Sequence, residues 1–178
     1  SIKINTFYLE EQINDFISNH PLKNKIEVIS DGSKILGTGG GILNLMKSSN
    51  DQNFLVFNPD TLWNIKYLKC INNMISDYFE FNMENLLMVV DKEKSYDLKL
   101  KCDFGINGKT LCKKNKNLIY TGCQIISKKL FNNMNIDFFS ISEIWNKKLI
   151  ENNLYGFQSS EKFIHLTDLK IYKKLLEK

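Results

Sequence analysis

Leu36-Gly37-Thr38-Gly39-Gly40-Gly41-Ile42 separates a short apolar run, Ile26 to Ser30 closed by Asp31-Gly32, from an apolar stretch through Leu43, Leu45 and Met46. The run before the glycines reads as a strand and turn, and the spacing after them as a helix. Three glycines at such a junction let the backbone come within contact distance of a ligand, because no Cβ stands in the way. The helix start adds free amides and a positive dipole end, which suits phosphate or polar base edges. A tight structural turn explains the same residues equally well, and the stretch is neither a Walker loop nor GxGxxG. Downstream, Phe54-Leu55-Val56-Phe57 reads as a strand covered on both faces and runs into Asn58-Pro59-Asp60-Thr61. Asp60 is thus placed just past the carboxyl end of a strand, the edge where open α/β sheets bind ligands. A carboxylate there either holds Mg²⁺ against phosphates or caps the following turn. Taken jointly, the glycines and Asp60 at the ends of successive βα units read as a nucleotide-plus-metal site.

Working outward, Tyr8 to Asn19 carries Leu9, Ile13, Phe16 and Ile17 at helical spacing and stops at His20-Pro21. A helix follows from about Ile65 to Phe79, and Leu86 to Val90 is a second buried strand. Strand, helix, strand, helix, strand is the rhythm of a mostly parallel α/β sheet. Beyond it, Asp103 to Lys109 holds a turn between two extended stretches, and Leu118 to Ile126 is a long strand interrupted by Gly122. Phe131 ends a short helix. Ser140 to Asn152 is an amphipathic helix, with Ser142 as its candidate amino cap. Leu154 to Gln158 and Phe163 to Leu166 suit a final hairpin, and Leu169 to Lys178 a closing helix. No linker, repeat or low-complexity tract divides the chain, so 1–178 reads as one domain.

The composition excludes several classes. No apolar run approaches the ~20 residues of a membrane span, and the start lacks the layout of a signal peptide, so a cytoplasmic, membrane-free protein is expected. The net charge of +4 is small and spread out, which argues against nucleic acid as a partner. Cys70, Cys102, Cys112 and Cys123 form no CxxC pair and no zinc spacing with histidine, and read as reduced thiols. There is no arginine and no alanine, a bias that AT-rich codons write. All 24 cationic side chains are therefore lysines, and phosphate is met by point charges or backbone amides, never by a bidentate guanidinium.

The Gly37-Thr38-Gly39-Gly40-Gly41-Ile42 segment followed by Phe54 to Trp63 resembles the sugar-1-phosphate nucleotidyltransferases. The nearest branch is the N-acetylmuramate 1-phosphate uridylyltransferases and mannose-1-phosphate guanylyltransferase-like proteins. The likeness continues in order through Tyr96-Asp97, Asp103-Phe104, Tyr120 to Ile126, Phe139-Ser140-Ile141, Ile144-Trp145 and Leu154-Tyr155-Gly156. It implies a Rossmann-like nucleotidyltransferase fold, a mostly parallel mixed sheet with helices on both faces. The implied activity is transfer of NMP from UTP or GTP to a sugar 1-phosphate with Mg²⁺, releasing pyrophosphate and making a nucleotide sugar for cell-envelope synthesis.

By the same resemblance, Thr38, Gly39, Gly40, Gly41 and Asn58 lie along the nucleotide, Asp60 is the catalytic metal ligand, and Thr121-Gly122 approaches the sugar phosphate. The family's second acidic ligand aligns with His165 in His165-Leu166-Thr167-Asp168-Leu169. Mg²⁺ prefers oxygen, and a plain strand histidine is the alternative there. The family's amino-terminal glycine-rich loop, with its arginine and lysine, has no counterpart here, because Ile2 to Asn5 matches the second strand. The resemblance thus implies an amino-terminally truncated domain, completed by a separately encoded fragment or paired as a homodimer. The alternative is an impaired fragment that only binds nucleotide or a partner chain.

Overall fold

The computed structural model describes residues 1–177, so the last residue of the expected closing helix, Lys178, lies outside the described residues. The architecture is α/β with mixed strand pairing, in two compact units. The first comprises residues 1–54 and 128–146, the second 55–127 and 147–178.

In the first unit, β1 (Ile2–Thr6) and β2 (Ile26–Ser30) pair in parallel, with Ile2 opposite Ile26 and Thr6 opposite Ser30. The expected first helix forms as α1 (Glu10–Ser18), and α2 (Gly37–Lys47) packs on β1. Leu43 and Met46 are the buried large side chains of α2, at helical spacing. Its last turn is closed by Lys128, whose Nζ donates to the carbonyls of Met46 at 2.9 Å and Ser49 at 2.8 Å. A lysine there satisfies carbonyls that have no helical partner and meets the negative dipole end. The Ser140 helix begins as α4 (Ile141–Ile150), and its cap is Ser140 instead of Ser142. Ser140 Oγ accepts from the Ser142 amide at 3.3 Å while Glu143 Oε1 accepts from the Ser140 amide at 3.2 Å, a reciprocal capping box.

The second unit holds a four-stranded sheet in the order β3 (Asn53–Phe57), β7 (Leu118–Ser127), β4 (Asn85–Asp91), β8 (Gly156–Ser159). β4 runs antiparallel to β7 and parallel to β8. Leu86 to Val90 are buried, as a central strand between two neighbours requires. α3 (Tyr67–Glu80) lays Tyr67, Cys70, Met74 and Tyr78 against Leu86, Met88, Cys123 and Ile125. Each large side chain so buried contributes roughly 1.5–3 kcal/mol. β5 (Gly105–Asn107) and β6 (Thr110–Cys112) form the small hairpin expected around Gly108, and α5 (Leu169–Leu176) closes the chain. The four cysteines are free. Among the described residues, no helix is long and apolar enough to cross a membrane.

Two expectations are corrected. β3 is not covered on both faces: it is an edge strand, and Leu55 and Phe57 remain 38% and 41% exposed. The final hairpin is absent too. β8 is drawn into the sheet as a parallel neighbour of β4, whereas Phe163 bridges Ser95 and His165 bridges Thr61.

Burial also sets an alkaline limit. It is the main cause that pushes the phenols of Tyr67 and Tyr78 from 10.0 up to about 12, and the Cys123 thiol from 9.0 to about 12. The folded chain thus holds protons that the unfolded chain has released, and stability falls as pH rises from the ordinary thiol and phenol values toward 12. The unfolding free energy read from urea titrations is expected to be flat just below this window and then to drop, by up to about 1.4 kcal/mol per pH unit for each group. A value constant to pH 12 would contradict the burial of these groups.

Candidate functional site

Asp60 and His165 are far apart in the chain but meet across a short antiparallel bridge. The Leu62 amide donates to the Ile164 carbonyl at 2.9 Å, the Leu166 amide donates to the Asp60 carbonyl at 2.8 Å, and Thr61 stands opposite His165. This leaves His165 Nε2 3.3 Å from Asp60 Oδ2. The other carboxylate oxygen, Asp60 Oδ1, is buried and has no hydrogen-bond partner among the described residues. Tyr120 lies close by, and burial, with Cys123 and Asp60 adding to it, raises its phenol well above 10.0. Leaving a buried acceptor unpaired costs about 1–3 kcal/mol, more when it is charged, so an orphaned carboxylate oxygen calls for an explanation.

A divalent cation fits these residues. Mg²⁺ is commonly held by one or two carboxylates with water and substrate phosphates completing the shell, so one aspartate and one neighbour are enough protein. An imidazole nitrogen in the set suits a transition-metal ion better than Mg²⁺. Among the described residues no group of three or more His, Cys, Asp or Glu could hold a metal by itself.

The residues around this pair are rigidly placed. Asn58 donates its amide to the Gly122 carbonyl at 2.8 Å and accepts from Trp63 Nε1 at 3.2 Å. Gly122 has φ +87°, and a Cβ there would lie 2.8 Å from Asn58 Cβ. It marks an irregularity in the β4–β7 register, between the Leu87 and Val89 pairings, where Thr121, Gly122 and Cys123 stand against Met88 alone and the two extra residues on β7 re-aim the strand. Thr121 is fully buried: its hydroxyl donates to the Met88 carbonyl at 3.0 Å and its own carbonyl accepts from Thr61 Oγ1 at 2.8 Å. The Thr121 side chain therefore braces the strand beneath Asp60, and Gly122, buried like Thr121, gives its carbonyl to the Asn58 amide.

The glycines belong to the first unit, and there the expectation of free amides is corrected. They are not a loop before the helix but its first turns, since α2 starts at Gly37. Gly39 and Gly40 donate their amides to the Phe139 carbonyl at 3.0 and 3.4 Å, and Thr38 Oγ1 accepts from the Ile141 amide at 3.0 Å. A Cβ at Gly39 would lie 2.3 Å from the Phe139 ring, at Gly40 2.1 Å from the Asp137 carbonyl oxygen, and at Gly41 2.7 Å from the Asn5 amide nitrogen. The 137–141 segment and Asn5 occupy the space that the missing side chains vacate.

A further contact has no signature in the sequence. His165 Nδ1 lies 3.3 Å from Thr167 Oγ1, which in turn lies 3.4 Å from Asp97 Oδ2. Tyr96-Asp97 belongs to the resemblance, yet nothing in its spacing ties it to residue 165, because the link is made by strand pairing.

No protein-family model matches the chain, and no curated protein matches it by sequence. Solved structures do. HddC from Yersinia pseudotuberculosis superposes with a TM-score of 0.73 at 23% identity, over 99% of this chain and 77% of that one. The inositol-1-phosphate CTP transferase from T. maritima gives 0.69 at 14% identity, over 97% and 74%. A putative glucose-1-phosphate thymidylyltransferase from Bacillus anthracis gives 0.74 at 11%, over 98% and 74%. The chain has the Rossmann-like fold shared by these nucleotidyltransferases, as the sequence resemblance implies.

Proposed function

We propose that the chain transfers a nucleotidyl group from an NTP, UTP or GTP, to a sugar 1-phosphate. The observation that carries this reading is the Asp60–His165 pair, with its orphaned carboxylate oxygen, on a nucleotidyltransferase fold. Supporting it, HddC has been solved with GMP-PN and a UDP-glucose pyrophosphorylase with UDP-glucose. In the reaction a sugar-phosphate oxygen attacks the α-phosphorus of the NTP, the bond between the α-phosphorus and its bridging oxygen breaks, and pyrophosphate leaves with the electron pair. Such a displacement needs positioning and charge neutralisation, and no protein nucleophile.

Asp60 and His165 would hold the divalent cation, Mg²⁺ in the simplest case, which neutralises phosphate charge when bound. Asn58 is assigned to the nucleotide and Thr121-Gly122 to the sugar phosphate, with Thr121 acting through the strand it braces. With no arginine among its residues, the chain's own cationic contacts to the triphosphate are lysine point charges or backbone amides.

The test is to incubate the protein with UTP or GTP, a divalent cation and a panel of sugar 1-phosphates, and to assay pyrophosphate. Sugar-dependent release is the expected result. The absence of both release and thermal stabilisation by any nucleotide would sink the reading. Stabilisation without release favours a chain that only binds nucleotide.

A further inference from the structure

Two helices of this chain keep an apolar stripe in solvent. On α1 (Glu10–Ser18) Ile17 is the buried residue, whereas Ile13, Phe16 and the preceding Leu9 are exposed, Phe16 by 65%. On α5 (Leu169–Leu176) no residue is buried, and Leu169, Tyr172 and Leu176 are exposed, Leu176 by 68%. Both stripes follow helical spacing, so each runs along one side of its helix for about 10 Å. Ile171 and Leu175 are half-buried, which makes the α5 stripe the uncovered edge of a wider apolar face. Helices this short hold little structure by themselves, because most helical stability comes from packing the apolar side. A contiguous apolar stripe left in water marks a surface that docks on something.

The charges beside the stripes say on what. α1 carries Glu10, Glu11 and Asp15 and no lysine, whereas α5 carries Lys170, Lys173 and Lys174 and no carboxylate. Glu10 is engaged locally, its Oε2 accepting from Ser30 Oγ at 2.8 Å. Glu11, Asp15 and the three lysines are exposed, and among the described residues none of the five has an ion-pair partner. By helical geometry Lys173 and Lys170 border the α5 stripe, and Asp15 lies beyond Gln12 on the exposed flank of the α1 stripe. Between two copies, α1 on α1 sets carboxylates against carboxylates and α5 on α5 sets lysines against lysines, and both are disfavoured. Only α1 on α5 covers both stripes with opposite charges alongside. We propose that α1 of one copy docks on α5 of a second copy, Leu9, Ile13 and Phe16 against Leu169, Tyr172 and Leu176, with Glu11 and Asp15 beside the α5 lysines. The contact is head-to-tail, since each copy offers one surface of each kind. It covers less than the ~1,200 Å² of a stable interface, so association is reversible and concentration-dependent. Nothing in it depends on the proposed reaction.

Sedimentation velocity over a concentration series into the millimolar range tests the contact. The parent protein should self-associate. Phe16→Gln and Tyr172→Gln, both at exposed positions, should each weaken association about tenfold or more. An equimolar mixture of these two variants should form a one-to-one complex, because one supplies an intact α5 and the other an intact α1. Lys173→Glu should weaken association about 2- to 10-fold, and Asp15→Lys added to it should recover the loss. Raising salt from about 0.01 to 1 M, which shortens the screening length from about 30 to 3 Å, should also weaken it. A parent protein that stays monomeric, variants that associate like the parent, or association strengthened by salt would each overturn the proposal. So would self-association of one Gln variant alone, which means that a helix pairs with its own kind. Co-sedimentation of a monomeric parent protein with phosphatidylglycerol vesicles, abolished by Tyr172→Gln, would give α5 to a lipid surface and likewise overturn it.

Discussion

Gly40→Ala is expected to destabilise the chain by about 2–3 kcal/mol, although alanine is the better helix former. In a free helix the exchange would gain close to 1 kcal/mol. At position 40 the new methyl would stand 2.1 Å from the Asp137 carbonyl oxygen and 3.1 Å from Leu36 Cβ. A flexible side chain could swing clear, but a carbonyl moves only with its backbone. That backbone is pinned by Gly39 and Gly40 donating to Phe139, by Phe139 donating to Leu36 at 3.1 Å, and by Ile141 donating to Thr38. Overpacking of a fixed site costs typically 1–3 kcal/mol and occasionally more, so the clash outweighs the propensity. Gly41→Ala should cost less, because the Asn5 amide it meets is a side-chain end. Urea unfolding of both variants measures the difference. A Gly40→Ala protein as stable as the parent, but no longer stabilised by nucleotide, would show that the glycine serves the ligand and not the packing.

How much of this was legible in the sequence depends on the range of the contact that carries it. β4 and α3 announce themselves through local pattern: the run Leu86 to Val90, and Tyr67, Cys70, Met74 and Tyr78 at helical spacing. Gly122 was visible as a break in a strand, and the structure shows a positive φ there. β3 misled because an apolar run says that a strand is sticky, not that it has neighbours on both sides. The three glycines were ambiguous for a similar reason. A missing Cβ marks close approach without saying by what, and here the 137–141 segment supplies the answer from far along the chain. Asp60 could be singled out by its place after a strand, and His165 only by resemblance. Thr167 and Asp97 could not be found at all, since the bridge that aligns them is set by tertiary pairing.

Asp60→Asn is expected to move function and stability in opposite directions. The carboxylate sits with one oxygen buried and unpaired and the other 3.3 Å from His165 Nε2. The amide keeps the shape, removes the charge and relieves part of the desolvation that the native site sustains. Folding stability should therefore be unchanged or higher, by up to about 1 kcal/mol. The same change removes the anionic donor from the proposed cation site, leaving a neutral amide oxygen and one imidazole. Pyrophosphate release should fall about 10²–10³-fold, the scale seen when one electrostatic contact to a transition state is deleted. Cation binding should fall with it. His165→Gln provides the contrast: it leaves the anionic donor in place and should slow a reaction run in saturating Mg²⁺ less. Active sites keep groups that a fold would prefer to lose. If Asp60→Asn instead unfolds the protein while cation binding persists, Asp60 is a structural cap on the turn after β3, and the cation site must be sought elsewhere.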